Sequence, residues 1–158
     1  MFTISALYHF TKFVNPNALR GPIFSICEHE GIKGTILLAH EGINGTVAGS
    51  SQGIAHLWEH VSKLPGCAGF EHKESFSKSM PFKRMKVRLK KEIVTMGKPN
   101  VDPRVRAGHY IEPSDWNALI SAPDVVVIDT RNEYEVGIGT FEGAINPKTK
   151  TFREFPKW

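Results

Sequence analysis

The stretch KGTILLAHEGINGTVAG, residues 33–49, decides how this chain folds. An apolar run at 35–39 meets a polar break, His40-Glu41-Gly42-Ile43-Asn44-Gly45, and a second apolar run follows at 46–48. β-Prone runs on either side of an Asn-Gly pair are a strong local signal for a β-hairpin. The stretch is therefore predicted to be a hairpin, with Asn and Gly in the break supplying the positive φ of its turn.

Working outward, Phe2, Ile4, Ala6, Tyr8 and Phe10 alternate with Thr3, Ser5, Leu7 and His9, a period of two that predicts a strand with one buried face. Asn15-Pro16 offers a helix cap and a first-turn proline, and Leu19, Ile23, Ile26 and Cys27 recur at helical spacing up to Glu30-Gly31. Gly21-Pro22 either bends this helix or restarts it. On the other side of the hairpin Ser51 is the expected cap of a second helix with a stripe of Ile54, Leu57, Trp58, Val61 and Leu64, stopped by Pro65-Gly66. Strands are expected at 70–77 and, as one long element, at 83–96. The order is β-α-β-β-α-β with an extra strand. That is an α+β, ferredoxin-like domain over 1–97, two helices covering one face of an antiparallel sheet.

Beyond it the composition changes. Pro99, Pro103 and Pro113 with Gly108 make 98–113 a predicted linker. In 114–158 Ser114 is the expected cap of a helix bearing Trp116, Leu119 and Ile120. Val125-Val126-Val127-Ile128-Asp129 reads as a strand buried on both faces, as in parallel sheets. A short helix at 132–136 and a turn with a brief strand at 143–147 follow. A region of this size buries too little surface to stand alone, so an incomplete α/β domain is expected, a fragment docked onto the first domain being the alternative.

The chain has 158 residues, 41% hydrophobic and 23% charged, with a net charge of +4, which describes a globular, mildly basic protein. Its two cysteines, Cys27 and Cys67, form no CxxC, so reduced thiols and a cytoplasmic location are expected. Residues 2–10 are interrupted by polar side chains and lack a basic flank, so no signal peptide is expected, and no apolar run is long enough to span a membrane.

Five groups of residues are weighed for function. Arg84, Lys86, Arg88 and Lys90 fall at i, i+2, i+4 and i+6, which on a strand aligns four cations over roughly 20 Å of one face. Such a row can track the phosphates of a single-stranded nucleic acid, or simply be a solvated face. His40, Glu41 and Asn44 crowd the hairpin break, either beside a nucleotide or as turn chemistry. Asp129 ends an apolar strand, where α/β proteins place ligands, and Arg131 follows it; the two are read as supporting groups or as a structural pair. Cys27 reads as a core residue, whereas Cys67 follows a turn where exposure is open to it. His56 and His60 share a helix face at a spacing that can bind metal, but no third ligand presents itself and no metal site is expected.

Asp129-Thr130-Arg131-Asn132-Glu133-Tyr134-Glu135 followed by Gly143-Ala144-Ile145-Asn146 resembles the opening of a rhodanese domain. Together with GTILLAHEGINGT, PFKRMKVRLKKEIVTMG, GHYIEPSDW and TFREFPKW, it resembles the bacterial rhodanese-related tRNA uridine hydroxylase family, also labelled UPF0176, over essentially the whole chain. The resemblance implies an acylphosphatase-like first domain and the start of a rhodanese domain. It implies an oxidoreductase that hydroxylates the wobble uridine of tRNA at C5, with molecular oxygen as co-substrate and no other cofactor evident. The partner is then the tRNA anticodon arm, not DNA or a membrane. The family's reactive cysteine lies beyond Trp158, so the catalytic residue is unassigned and these 158 residues alone are expected to be inactive. A rhodanese-type sulfurtransferase and a non-catalytic RNA-binding module are the alternatives. Acylphosphatase chemistry is disfavoured, because Thr11-Lys12-Phe13-Val14-Asn15-Pro16 lacks the arginine and glycines of a phosphate loop.

Overall fold

Residues 33–49 form a hairpin inside a five-stranded sheet in the computed structural model of the chain, which describes residues 1–98, 101, 105 and 108–158. Strand β2 (Lys33–Ala39) pairs antiparallel with β3 (Gly42–Gly49), from Lys33 opposite Ala48 to Ala39 opposite Gly42. The turn is therefore His40-Glu41 alone. Asn44-Gly45, expected in the break, lies within β3. Gly42 takes the positive φ, 145°, and a Cβ there would collide with the carbonyl oxygen of His9. Gly45 is needed for a different reason: a Cβ would stand 2.6 Å from the carbonyl oxygen of Thr35. The register thus follows close backbone approach on both sides of β3, which overrides the local Asn-Gly preference.

β1 (Phe2–Phe10) pairs with β3 and with β4 (His72–Ser77), both antiparallel, while β5 (Met85–Leu89) runs parallel to β2. The order is β4-β1-β3-β2-β5, so the expected all-antiparallel sheet gains a parallel edge. Helix α1 (Pro16–His29) joins β1 to β2, and α2 (Ser51–Ser62) joins β3 to β4. α1 continues through Pro22, and the Asn15 side chain caps it by accepting from the Ala18 N–H at 3.3 Å. α2 is capped by Ser50, not by Ser51: the Ser50 hydroxyl accepts from Gly53 N–H at 3.0 Å. Ile23 and Cys27 of α1 and Ile54, Leu57, Trp58 and Val61 of α2 share one core with Leu7, Ile36, Leu38, Ile43, Val47 and Val87 of the sheet. This is the ferredoxin-like, acylphosphatase-like α+β arrangement.

The buried face of β1 is the more polar one. Thr3, Ser5 and Leu7 point into the core, and Phe2, Ile4, Ala6, Tyr8 and Phe10 line the face away from the helices. Burial is tolerated because the hydroxyls are partnered: Trp58 Nε1 donates to Ser5 Oγ at 2.8 Å, and Thr3 Oγ1 lies 2.7 Å from Ser51 Oγ.

The expected strand at 83–96 is cut short. Ladder bonds run from Gly34 N–H to the Arg84 carbonyl and from Lys90 N–H to the Leu38 carbonyl, and β2 ends at Ala39, so the ladder between the two strands ends there. Ile93 is instead buried, its N–H donating to Glu41 Oε1 at 2.6 Å and its carbonyl accepting from Asn44 Nδ2 at 2.9 Å.

The chain divides into two compact units, Met1–Val94 and Thr95–Trp158. Of the linker expected at 98–113, residues 99, 100, 102–104, 106 and 107 lie outside the described ones. In the second unit α3 (Pro113–Ile120) opens on Pro113 with Glu112 as its cap residue, so Ser114 already sits inside the helix and does not cap it. α4 (Glu133–Val136) follows Asn132, whose N–H is held by the Glu135 carboxylate at 3.1 Å. The run 125–129 is not a strand buried on both faces: Val126 is 67% exposed, and Ile128 makes a single parallel bridge to Ile145. Burial on two faces requires a layer on each side, and β-propensity alone does not supply one.

Gly45→Ala should lower the stability of the full-length chain by on the order of 1–3 kcal/mol. Urea unfolding should show this as a lower midpoint at unchanged slope.

Candidate nucleic-acid interface

The four cations occupy the edge of the sheet. In β5 the pairing of Lys86 beside Thr35 and Arg88 beside Leu37 sets both on the face away from the helices, while Met85 and Val87 pack against the core. Arg84 and Lys90 flank the strand, held in line by the two ladder bonds to Gly34 and Leu38. Arg84, Arg88 and Lys90 are exposed and Lys86 half-buried. The register adds two cations that sequence spacing could not reveal. Lys33 shares this face of β2 with Thr35, and Lys73 of β4 stands across from Ala6. The one carboxylate within these five strands, Glu74, pairs with Ser5 and so belongs to the other face. The open face therefore presents cations without counter-charges from the strands themselves, which suits a polyanion.

The hairpin residues do not converge on a common point. His40 Nδ1 lies 2.9 Å from the Phe13 carbonyl, whereas Glu41 and Asn44 hold the two peptide groups of Ile93. Each side chain already serves a backbone partner. The loop after β1 is engaged in the same way: Thr11 and Phe13 donate their N–H groups to the carbonyls of Glu41 and His40, both at 3.0 Å. Those two donors are thus not turned to a phosphate.

Asp129 and Arg131 meet directly in the second unit. Arg131 Nε and Nη2 donate to Asp129 Oδ1 and Oδ2 at 2.9 and 2.6 Å, a two-pronged contact. Nη2 also reaches the Gly139 carbonyl at 2.6 Å, and Thr140 Oγ1 donates to Asp129 Oδ2 at 2.8 Å. The Asp129 side chain is only 8% exposed. The hydrogen bonds from Arg131, then that from Thr140, hold its carboxyl well below the usual carboxylate range. The pair closes the segment 129–140 on itself.

Both thiols are fully buried, which corrects the exposure considered for Cys67. Burial pushes Cys27 up to about 12 and Cys67 up to about 11, so neither offers a thiolate near neutral pH. His56 turns to Glu30, Nδ1 to Oε1 at 2.9 Å, and among the described residues no three His, Cys, Asp or Glu side chains gather to hold a metal ion.

A model of the UPF0176 acylphosphatase-like domain matches residues 2–93. A protein named tRNA uridine(34) hydroxylase from Gluconobacter oxydans (strain 621H) is 63% identical over 155 residues, covering 98% of this chain and 50% of the relative. One of the same name from Roseobacter denitrificans (strain ATCC 33942 / OCh 114) is 60% identical over 158 residues, covering 100% and 53%. The chain spans about half the length of the curated relatives it matches. Among solved structures, an acylphosphatase from Coxiella burnetii aligns with 55% of this chain and 90% of its own at 15% identity and a TM-score of 0.39.

The Asp129 contact has a pH signature. A carboxyl whose folded pKa is depressed stabilises the fold above its unfolded value of about 3.9, and this contribution is lost as pH falls toward the folded value. The melting temperature of the full-length protein should therefore drop more steeply below about pH 4 in the wild type than in Asp129→Asn. The variant should melt lower at neutral pH.

Proposed function

Because the chain belongs to the family of the UPF0176 acylphosphatase-like domain, we propose that it serves in tRNA modification, the oxygen-dependent 5-hydroxylation of the wobble uridine. The observation that carries this reading is the row Arg84, Lys86, Arg88 and Lys90 along the open sheet face, in a chain whose relatives bear the name tRNA uridine(34) hydroxylase. The partner is the tRNA anticodon arm, gripped through its phosphates by the first unit. Membrane attachment has no part in this reading, and among the described residues no helix is long and apolar enough to cross a membrane. Its setting is the cytoplasm.

The labour is divided between the two units. The first holds RNA. The second, 114–158, is read as the N-terminal part of a rhodanese-like domain, and Asp129 and Arg131 support its active loop by fixing the segment around them. The reactive cysteine is neither Cys27 nor Cys67, since both are buried and protonated. Molecular oxygen is the co-substrate. The wobble base suits such a site because an unpaired loop base can be splayed from its stack at modest cost.

Nucleoside mass spectrometry of tRNA from cells lacking the full-length gene tests the activity. Loss of 5-hydroxyuridine and the nucleosides derived from it is expected, and an unchanged profile overturns the reading. The grip has its own measurement. Replacing Arg84, Lys86, Arg88 and Lys90 by alanine should reduce the slope of log affinity against log salt by up to about 3, at roughly 0.7 per phosphate released. An unchanged slope would remove the row as the RNA contact.

A further inference from the structure

The outer border of β5 faces helix α1 across a groove. The ladder bonds of Arg84 and Lys90 turn the peptide groups of every second residue toward β2, so those of Val87 face outward. Arg20 of α1 meets them there, its Nε donating to the Val87 carbonyl at 3.1 Å. The groove has a volume of about 550 Å³, with Arg20 on its helix wall and Lys86 and Arg88 on its strand wall. Phe24 and Met85 give it an apolar floor, fixed by packing on the core. No carboxylate lines it, and among the described residues none of its three cations shares an ion pair. Gly21 also stands on the helix wall, and a Cβ there would meet nothing within 4 Å.

We propose that this groove holds one nucleotide of the RNA backbone, its phosphate gripped by Arg20 from the helix side and by Lys86 and Arg88 from the strand side. The inference rests on the reading of the protein as one that holds RNA, and it adds a contact from outside the cation row. The space is of the size that small ligands occupy, about 300–1,000 Å³. Arg20 suits the task because its Nε is committed to Val87, which steadies the guanidinium and leaves its two Nη groups for a phosphate. A cation already held in place loses little freedom on binding. The row along β5 meets a phosphate from one side, whereas the groove sets charge on two.

The test uses the full-length protein and an anticodon stem-loop RNA, with affinity read by fluorescence anisotropy. Arg20→Ala should weaken binding about ten-fold and lower the slope of log affinity against log salt by about 0.7. Gly21→Glu carries the test independently of any loss of the Val87 contact, since the site has room for a side chain and glycine is a poor helix former. Its carboxylate among the three cations should weaken binding about ten-fold or more, while Gly21→Ala should bind like the wild type. Gln52→Glu adds the same charge on the exposed start of α2 and should stay within about two-fold of the wild type. Wild-type affinity in Gly21→Glu, an equal loss in Gln52→Glu, or an unchanged salt slope in Arg20→Ala overturns the proposal. Displacement of the stem-loop by inorganic phosphate at matched ionic strength would mark a site for the free ion and overturns it too. If alanines in the row flatten the salt slope while Gly21→Glu binds normally, the groove is removed and the reading of an RNA-holding protein stands.

Discussion

A single hydrogen bond inside the core, from Trp58 Nε1 to Ser5 Oγ, fixes which side of the first strand faces the helices. A strand shows alternate residues to opposite faces, so a slip of one position would exchange the two sets. With Ser5 inward and its hydroxyl partnered, Leu7 joins the core and Tyr8 and Phe10 are turned to the open side. The contact between Thr3 and Ser51 reinforces the choice two turns earlier, at the start of α2. Polar atoms in the core would be costly without partners, and with them they give the strand one acceptable register. The surface on the open side is thus decided by the packing behind it.

That dependence explains what was legible in the sequence and what was not. The two helices and the hairpin could be read because each is signalled locally: Asn15-Pro16 opens α1, Pro65-Gly66 closes the α2 region, and apolar spacing marks the inner faces. The inner face of β1 could not be read from its own residues. Phe2, Ile4, Ala6 and Phe10 look like a core stripe, and only Trp58 and Ser51, some fifty positions away, make Ser5 and Thr3 the buried pair. Asn44-Gly45 misled in the same way: a preferred turn dipeptide is only a preference, and a sheet with neighbours on both sides settled where the chain reverses. The run 125–129 shows the limit of β-propensity, since burial is a property of what lies above and below a strand.

The candidate site divides along the same line. A period of two at Arg84, Lys86, Arg88 and Lys90 is visible in the sequence because one strand contains it. Lys33 and Lys73 join that face only through pairing across the sheet. The hairpin residues held attention because polar side chains cluster there, but Glu41 and Asn44 work on the backbone of Ile93, and that partner lies beyond the point where β5 leaves its ladder.

The parallel strand β5 has a consequence of a different kind. It is an outer strand, and an outer strand invites a second chain to continue the sheet. Arg20 Nε, reaching from α1, donates to the Val87 carbonyl at 3.1 Å and occupies one of the acceptors on that border. The cations beside it would confront their own copies in any strand laid alongside, and mutual repulsion discourages the union. The border is therefore guarded against its own kind by the same charges that suit it to a polyanion.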